Sequence, residues 1–599
     1  MKHFNIKVIA ALVLAVVMFT GCGLNKMIKK YPTVNYTVTP EVLESHGGKI
    51  SVGVNGTIPP KYFNKKASVT ITPVIKSMDG VTLATLKSIT LKGEKNKGQG
   101  QVIKYKEGGS FSYTDVVNFT DNMKMSELYI GPLATKGKKV DVPLGTNKLA
   151  DGVINTSSRI EHEEDLEVAA HGYELETIIT KKGNLYYEYN KSNLNMSLSL
   201  NKDLANAAIR DALFAFLVQN WKIKSIDINA WASPEGELTL NKKLSDERGK
   251  TAKTWFEEQI KKIVLKDKQL INNSVAPEIP EKGKKALKIE VPQLPVTVNS
   301  KGEDFDGFMK ALNTSNIPQK QTISNVIQSQ ATKAEREKSI KDMTVIYAEV
   351  ENMLSVLRRA EFTISCYEPK KSKEEIIMLS TTTPEKLDNK ELLYSATLTD
   401  NVETQYTIYK SATTIYPNDW KAFNNAGMCA LKLDKLDEAQ TYLEKANQLN
   451  PNDGQILYNL GVLSSWKNEN EAAQDYFNKA QQKGIDVSYN NAVLKSKQGD
   501  YAAALSSYGT KKCKYNVALA QMLSGNNTAA LQTLECTKPQ TGAVHYLAAI
   551  NAARTKNTSV MYEHLTKAVQ KNSKYRKEAM EDREFLKYHK EPAFLDAIK

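Results

Sequence analysis

Short runs in which every second residue is apolar fill the first part of the chain. The clearest are residues 49–56, 67–75 and 81–91, and their alternation is typical of strands with one buried face. Clusters of Gly, Asn and Pro separate the runs and indicate turns. Regular short strands between turns predict a β-sandwich over residues 31–160. We expect a spacer or protein-binding module here, because the region carries no motif with chemistry.

Residues 226–256 change from a strand period to a helical one. An alternating run is followed by a Ser-Pro-Glu-Gly turn and then by apolar residues at helical spacing. Arg248 falls inside the apolar stripe of this helix, and Asn241 lies two turns earlier on the same side. A buried guanidinium must be paired. A local acid such as Asp246 or Glu247 could pair it, or it could bind a carboxylate ligand that suits its planar shape.

The last third of the chain repeats a pattern of small, aromatic and proline residues. Two successive copies occupy Phe423, Gly427, Ala439, Leu443, Ala446 and Pro451, and then Leu457, Gly461, Ala473, Phe477 and Ala480. The pattern resembles the tetratricopeptide repeat (TPR), whose small residues lie where paired helices cross closely. Weaker matches extend it, which predicts about six helix pairs over residues 391–572 and a helical cap over residues 573–599. A generic array of α-hairpins would form the same concave surface.

The helix that contains Arg248 also resembles a known family. Asn241, Leu244, Ser245 and Arg248 spell N-x-x-L-S-x-x-R after a strand and a turn that reads A-S-P-E-G. This resembles the OmpA-like peptidoglycan-binding domain, in the form common among Bacteroidetes envelope proteins. In that family an Asp of the turn and the Arg of the helix hold the diaminopimelate residue of the peptidoglycan stem peptide. The resemblance implies that Arg248 contacts a stem-peptide carboxylate, with Asn241 orienting the ligand.

One charged position of the family pattern is changed in this chain. The family Asp maps onto Ser233, and Glu235 is the nearby acid that could replace it. Without the Asp, the contact to the ammonium group of the ligand is lost, so we expect weakened binding of peptidoglycan. The alternative is that the domain binds no peptidoglycan and is only a docking module, with Arg248 paired inside the fold.

Two further pieces of sequence carry the same resemblance. Residues 185–194 resemble the opening strand of the family, and residues 357–364 (Leu-Arg-Arg-Ala-Glu-Phe-Thr-Ile) resemble its closing strand. The positions of the first piece that fit the family pattern are Asn190, Lys191, Ser192 and Leu194. Three pieces in the right order predict that the domain spans residues 173–368.

The predicted domain contains a long insertion over residues 261–356. Residues 261–301 are rich in Lys and Pro and indicate a loop, whereas residues 305–356 have a helical composition. This arrangement resembles the Bacteroidetes version of the domain, whose extra helices lie between the motif helix and the closing strand. A charged linker over residues 369–390 is predicted to lead into the repeats.

The N-terminus has the pattern of a bacterial lipoprotein signal. Two lysines precede an apolar run at residues 8–19, which is shorter than the roughly 20 residues needed to cross a bilayer. Gly and Cys22 follow and resemble a lipobox, which implies a signal peptide over residues 1–21, an acylated Cys22 and a tether over residues 22–30. Because no acidic residue directly follows Cys22, we expect an outer-membrane anchor that faces the periplasm.

Composition narrows the possible partners. The chain has 599 residues and a formal charge of +14, which falls to +12 once Lys2 and Lys7 leave with the signal peptide. The excess is spread out and dominated by lysine, without an Arg-rich stripe, so we expect no nucleic-acid partner. A basic surface suits anionic lipid headgroups or the acidic groups of a cell wall.

Metal, redox and catalytic chemistry are not expected. The five cysteines form no C-x-x-C motif, Cys429 is predicted to be a small buried core residue, and a disulfide between Cys513 and Cys536 is left open. His171 and the acidic run 161–164 have no standard metal spacing, so the run is predicted to be solvated. No nucleophile–base pair or catalytic motif is recognisable, which predicts a protein that is not an enzyme and has no cofactor.

The sequence therefore predicts a multidomain α+β protein. Its parts are an N-terminal β-sandwich, an OmpA-like βαβ-type domain with a helical insertion, and a C-terminal all-α TPR solenoid. The function predicted from them is a lipid-anchored scaffold that links the outer membrane to peptidoglycan and holds an unknown protein on its repeats. The alternative is a non-catalytic accessory subunit of an envelope secretion, gliding or adhesin assembly, in which the OmpA-like domain only docks.

Overall fold

The computed structural model describes residues 23–218, 221–266, 294–346 and 348–599. Its backbone divides into two compact units, one formed by the chain up to His171 together with Thr383–Lys599, the other by Gly172–Thr382. In sequence, the second unit is an insertion into the first. The predicted signal peptide, Cys22 and the part of the predicted loop at residues 267–293 lie outside the described residues. Among those that are described, no helix combines the length and apolarity needed to cross a membrane.

The first unit begins with a helix in place of the predicted tether. Helix α1 (residues 23–30) is followed by a 3-10 helix at Tyr31–Thr33. Leu24 and Met27 are 2% and 1% exposed and belong to the core of the sheets that follow. The two residues lie three positions apart, so they share one side of α1 and hold it against the sheets. The sequence predicts a tether over residues 22–30 from its position after Cys22, and one apolar pair is too short a pattern to predict a helix.

Thirteen strands follow, all within the described residues 23–171. They are β1 (Asn35–Thr39), β2 (Val42–His46), β3 (Lys49–Ile58), β4 (Ser68–Ile71), β5 (Pro73–Ser77), β6 (Thr82–Thr85), β7 (Ile89–Gly93), β8 (Gln101–Ile103), β9 (Gly109–Asn118), β10 (Ser126–Ile130), β11 (Leu133–Lys136), β12 (Lys139–Pro143) and β13 (Asn147–Ile154). One sheet has the order β1-β3-β2-β13-β10-β5-β6, with β9 also paired to β3, and the other has the order β12-β11-β4-β7-β8. Their buried side chains form a single core.

The predicted strands are present, but two of the predicted runs each contain two strands. The run 67–75 divides into β4 and β5, and the run 81–91 divides into β6 and β7, with the members of each pair in different sheets. Pro73 is the first residue of β5 and has no N–H to donate, which favours a break between β4 and β5. Alternation alone does not show where a strand passes from one sheet to the other.

The second unit is built on a four-stranded sheet of order β14-β17-β15-β16. The strands are β14 (Ile178–Tyr186), β15 (Ile223–Ala232), β16 (Val296–Glu303) and β17 (Arg359–Tyr367). The described helices are α2 (Ser199–Lys202), α3 (Leu204–Val218), α4 (Leu238–Lys266), α5 (Phe305–Thr314), α6 (Lys320–Gln328), α7 (Lys333–Ile346), α8 (Ala348–Leu357) and α9 (Lys373–Thr382). Strands β15 and β16 are parallel and follow each other through α4, which is a βαβ arrangement.

Three boundaries of the second unit differ from the prediction. The opening strand β14 ends where the predicted strand 185–194 begins, and Asn190 has a positive φ of 52°, which does not fit a strand. Strand β16 lies in the segment predicted as a loop. Its alternating stretch is too short to predict a strand by itself, and the strand is defined by its parallel pairing with β15. Helix α9 lies in the predicted linker 369–390.

Residues 383–599, all of which are described, form six helix pairs and a cap. The pairs are α10 (Asn389–Ser395) with α11 (Val402–Ile415), α12 (Trp420–Lys432) with α13 (Leu436–Leu449), α14 (Gly454–Trp466) with α15 (Asn470–Gln482), α16 (Ser488–Lys497) with α17 (Tyr501–Tyr508), α18 (Tyr515–Leu523) with α19 (Asn527–Cys536), and α20 (Gly542–Arg554) with α21 (Thr558–Lys571). The cap contains α22 (Lys574–Glu581) and α23 (Pro592–Ala597). This is the all-helical, TPR-like solenoid that the repeat pattern predicts.

The small residues of the repeats lie where the paired helices touch. Ala439 and Ala473 are fully buried. A Cβ added to Gly427 would lie 2.7 Å from the Leu443 side chain, and one added to Gly461 would lie 2.5 Å from Phe477. Both distances are shorter than two carbon atoms can approach without bonding, so the helices cross this closely because these positions are glycine.

The cysteines of the described residues have two environments. Cys513, just before α18, and Cys536, the last residue of α19, form a disulfide, which is the pairing that the sequence leaves open. Cys366 and Cys429 are free and buried. Burial raises the pKa of the Cys429 thiol to about 12, so this thiol is unreactive, as expected for a small core residue.

Candidate functional site

The solenoid holds a stretch of its own chain that contains neither helix nor strand. Residues 161–169, which we call the resident strand, follow the sheets and lead into the second unit. They run along α12, α14, α16 and α18, the first helices of four successive pairs, and we call this face the groove. The strand runs opposite to the repeats, since its later residues contact the earlier helices.

Four asparagines bind the backbone of the resident strand, one from each helix of the groove. Each accepts a hydrogen bond from the N–H of one strand residue and donates one to the C=O of the same residue, at 2.7–3.2 Å. The pairs are Asn425 with Ala169, Asn459 with Glu167, Asn490 with Asp165, and Asn516 with Glu161. We call this set the asparagine ladder. It reads an extended backbone and is indifferent to the side chains of the bound residues.

The asparagines of the ladder depend on the strand for their own hydrogen bonds. Asn425 is 1% exposed, and Asn459, Asn490 and Asn516 are fully buried. A buried amide without partners is costly, so an empty groove would leave four such amides to be satisfied by water. Asn424 joins two rungs, because it donates to Asn425 Oδ1 and accepts from the Asn459 side chain.

Glu164 anchors the strand through its side chain. Its carboxylate is buried and accepts hydrogen bonds from Ser465 Oγ at 2.7 Å and Trp466 Nε1 at 2.8 Å. Lys497 Nζ lies 4.0 Å away and donates to the Ser465 carbonyl. Burial lowers the pKa of Lys497, and the charge of Glu164 opposes that shift. The groove therefore supplies two donors and a cation for one acidic side chain.

Glu163 binds the start of a groove helix. It accepts from the backbone N–H groups of Tyr515 and Asn516 at 3.1 and 2.9 Å, and from Tyr489 Oη at 3.3 Å. The first N–H groups of a helix lack partners within it and favour negative charge, so a carboxylate is suited to this position. Burial and the charge of Glu163 both raise the pKa of Tyr489.

Two more side chains of the strand, those of His162 and Asp165, contact the solenoid. The His162 ring stacks on Trp466, with 4.2 Å between centroids and 7° between planes. Asp165 lies 3.3 Å from Lys511 Nζ and 3.7 Å from Lys514 Nζ. Acidic residues of the strand thus meet basic residues of the solenoid.

The acidic run 161–164 was predicted to be solvated, and this prediction is wrong for Glu163 and Glu164. Their carboxylates are bound because the groove offers helix N–H groups, an indole and a hydroxyl that are remote in sequence. His171 contacts the Tyr394 ring at 5.1 Å and, like the run, belongs to no cluster of metal-ligating side chains among the residues described.

The ladder has a signal in the sequence that the repeat pattern alone misses. Each ladder asparagine lies two positions before the small residue of its helix, in Asn-Ala-Gly427, Asn-Leu-Gly461, Asn-Asn-Ala492 and Asn-Val-Ala518. Ala or Leu could fill a packing role at these positions. An asparagine that recurs in register with a buried small residue therefore indicates a polar role. Read in this way, the repeats predict a row of amides along one face.

Ion pairs fasten the chain before the strand to the helical cap. Arg159 donates to Glu578 at 2.9 Å and to Asp582 at 3.0 Å, and its guanidinium lies 4.3 Å from the Tyr546 ring centre. Glu584 accepts from Thr156 Oγ1 at 2.6 Å. The sheets and the solenoid of the first unit are therefore joined on both sides of residue 160.

The residues predicted to bind peptidoglycan lie close together in the second unit, but the polar groups of Arg248 are already paired. Arg248 is 1% exposed, and it donates to the backbone carbonyls of Lys191 at 3.0 Å, Trp231 at 2.9 Å and Glu188 at 3.3 Å. Burial lowers the pKa of Arg248 to about 10. Arg248 is therefore paired inside the fold, by backbone carbonyls and not by Asp246 or Glu247.

The turn residues Ser233 and Glu235 are bound to Arg358, which the sequence did not single out. Arg358 donates to Ser233 Oγ at 3.1 Å and to Glu235 at 2.8 Å, and its ion pair with Glu235 is 4% exposed on both sides. Burial lowers the pKa of Arg358, but the carboxylates of Glu351 and Glu235 raise it above its ordinary value. Asn241 braces the same turn by donating to the carbonyl of Ser233 at 3.0 Å.

Comparison with known proteins places the repeats in a family. Residues 420–453 match the tetratricopeptide repeat model, and they contain the first of the two clear copies in the sequence. TPR proteins are scaffolds for protein–protein interaction, so this part of the prediction is confirmed. No curated protein matches the chain.

Several solved structures resemble part of the chain. PilW, titled a widely conserved type IV pilus biogenesis factor, is 18% identical, with 34% of this chain and 95% of PilW covered and a TM-score of 0.27. A tetratricopeptide repeat protein from Parabacteroides merdae is 14% identical, with 44% and 98% covered and a TM-score of 0.28. PilF of Pseudomonas aeruginosa is 14% identical, with 36% and 99% covered and a TM-score of 0.27.

Proposed function

We propose that the chain is a non-catalytic scaffold of a bacterial envelope assembly, anchored through an acylated Cys22 in the outer membrane and facing the periplasm. Its solenoid is a clamp for an extended acidic strand. Its second unit is a docking module for another component of the assembly. The TPR match supports the scaffold, and the lipobox-like sequence at Gly21-Cys22 supports the anchor.

The asparagine ladder is the observation that carries the proposal. Eight hydrogen bonds to the backbone of four strand residues, with bound carboxylates between them, are typical of a binding site for a peptide and not of a generic helix surface. The peptide that fits is extended, acidic at the positions of Glu163 and Glu164, and aromatic or imidazole-bearing at His162.

The resident strand occupies the groove and competes with free peptides for it. A ligand linked to its site by a short chain has an effective concentration on the order of millimolar, so a free peptide must bind far more tightly than the strand to replace it. We infer that the groove fixes the sheets to the solenoid, and that partner proteins bind other faces of the scaffold.

The internal contacts of Arg248 and Arg358 support docking over wall binding. A ligand carboxylate would have to replace the three backbone carbonyls that Arg248 now contacts, and Glu235 already occupies Arg358. Binding of the peptidoglycan stem peptide by Ser233, Glu235, Asn241 and Arg248 is the second candidate, carried by the resemblance of the motif. The two are separated by the effect of Arg248→Ala on the stability of the second unit and on sacculus binding.

A labelled peptide copying residues 159–171 tests whether the groove is a peptide site. In a Glu167→Pro/Ala169→Pro variant the strand loses two N–H groups that the ladder binds, while the groove keeps every side chain. This variant should bind the peptide, whereas the parent chain should not. Val168→Pro is the matched control, because the Val168 N–H takes no part in the ladder.

A further substitution checks that the peptide uses the ladder. Adding Asn459→Ala to the double proline variant should abolish peptide binding, while the helical circular dichroism of the solenoid persists. Peptide binding that is equal in the parent and the proline variant, or absent from a folded proline variant, would overturn the proposal.

A further inference from the structure

Seven lysines surround a basin on the surface of the sheets. The basin has a volume of about 900 Å³. Its lysines are Lys26, Lys65, Lys66, Lys95, Lys136, Lys138 and Lys139. Two tyrosines, Tyr62 and Tyr105, complete its wall.

The basin carries a large uncompensated positive charge. Lys65 pairs with Glu94 at 3.3 Å, and for the other six lysines no carboxylate lies within 4 Å among the residues that the structure describes. Lys26 and Lys65 also lie over the Tyr105 ring, 5.9 and 5.5 Å from its centre. Like charges held this close repel one another, so the arrangement favours a bound polyanion or an anionic surface.

The start of the described chain lies in the wall of this basin. Gly23 lines it, and a Cβ added to Gly23 would lie 2.8 Å from Lys136 Nζ. Helix α1 cannot swing away freely, because Leu24 and Met27 are buried in the core and the Asn64 N–H donates to Met27 Sδ at 3.4 Å. Gly23 is therefore held beside the lysines.

We propose that the basin binds the phosphate-bearing headgroups of anionic lipids and holds the sheets flat against the membrane. The inference deepens the proposed anchoring at Cys22, because it gives the membrane a second, electrostatic contact next to the acyl chains. Stable attachment of a lipidated protein takes more than one signal, and a basic patch is one that serves.

Vesicle flotation of a chain that carries no lipid tests the basin separately from the anchor. The protein is the full chain from residue 22 with Cys22→Ser, and the vesicles contain phosphatidylcholine with or without phosphatidylglycerol. It should float with the anionic vesicles and not with the neutral ones, and added salt should release it. Lys66→Glu/Lys138→Glu should lower the partition coefficient by about tenfold or more, since each lysine near an anionic surface contributes about fivefold.

The matched control is Lys49→Glu/Lys483→Glu, which makes the same change in net charge at exposed positions outside the basin. The effect of this control pair on the partition coefficient should be about fivefold smaller than the effect of the basin pair. Equal losses for the two pairs, binding to neutral vesicles, or no binding to anionic ones would overturn the proposal. So would release by inorganic phosphate at constant ionic strength, because that result indicates an ion site and not a membrane surface. Peptide binding to the groove is unaffected by any of these outcomes, so the two proposals fail independently.

Discussion

Replacing Arg248 by alanine should destabilise the second unit, whereas the family resemblance alone predicts an intact fold. The guanidinium donates to backbone carbonyls at Glu188, Lys191 and Trp231, which belong to the loop after β14 and to β15. It therefore ties that loop to the sheet from a position inside α4. Alanine removes all of these donors at once and leaves a cavity.

The size of the effect follows from the burial of Arg248. Each buried carbonyl left without a partner costs about 1–3 kcal/mol, so the three acceptors of Arg248 together cost at least about 3 kcal/mol. For a unit of this size, each kcal/mol lowers the melting temperature by about 2–4 °C. We expect the transition of the second unit to fall by at least about 6 °C.

The measurement is the melting transition of the second unit within the full chain, followed by hydrogen exchange of peptides from α4. Lys250→Ala is the control on the same helix, because its ion pair with Asp246 is exposed to solvent and contributes little to stability. The same proteins are then mixed with purified sacculi. Arg248→Ala that keeps its melting temperature and loses sacculus binding would refute this account of the unit and restore peptidoglycan as its ligand.

Three further predictions concern the anchor, the repeats and pH. Cys22→Ser should release the protein from the membrane fraction or stall its processing, and alkali-resistant association that is unchanged would contradict the anchor. Ala439→Leu and Ala473→Leu should each cost about 1–3 kcal/mol by overpacking a helix crossing, and variants that melt like the parent would show that the helix pairing is wrong. Burial and the neighbouring Glu303 raise the pKa of Glu337 to about 7 from 4.5, so its protonated form stabilises the second unit at low pH and this contribution is lost as the pH rises through 7. Glu337→Gln should therefore raise the melting temperature above pH 7 and leave it unchanged at acidic pH, and an equal shift at both would exclude the titration.

The parts of the fold that could be predicted are those with a local period. The alternation at residues 49–56 gives β3, and the spacing of Gly427, Ala439 and Leu443 gives a helix pair, because burial of one face writes a period of two or of 3.6 into the sequence. Strand β16 could not be predicted in the same way, since its position in the sheet depends on pairing with β15.

The resident strand shows why the site was harder to predict than the fold. Glu163 and Glu164 resemble a solvated charge run in the sequence, because their partners Tyr515 and Trp466 lie 352 and 302 residues away. Ladder recognition is through the backbone, so it leaves no pattern in the strand itself. Only the groove records it, in the asparagines that recur before small residues.

The same limit applies to the motif in the second unit. N-x-x-L-S-x-x-R places Arg248 on the inner side of α4 but does not say what it contacts. The three carbonyl acceptors of Arg248 and the Arg358–Glu235 pair are tertiary contacts, which a local motif does not encode. The Leu-Arg-Arg motif predicts a strand but not the partner of Arg358. The motif therefore predicts where the Arg248 side chain lies, whereas its hydrogen-bond partners depend on the tertiary structure.

The most direct test of the clamp is cleavage of the resident strand by Glu-C endoproteinase, followed by mass spectrometry. The enzyme cuts after glutamate, and the strand contains Glu161, Glu163, Glu164 and Glu167. Asn459→Ala/Asn490→Ala removes two rungs of the ladder, and Asn491→Ala is the control, since its side chain bonds Gln474 and no strand residue.

The strand should resist cleavage in the parent and in Asn491→Ala. Each lost rung leaves buried groups unpaired at about 1–3 kcal/mol, so cleavage in the double variant should be faster by about 30-fold or more. Cleavage within the strand at the same rate in the parent and in the double variant would contradict the account, because the groove would then not hold its strand.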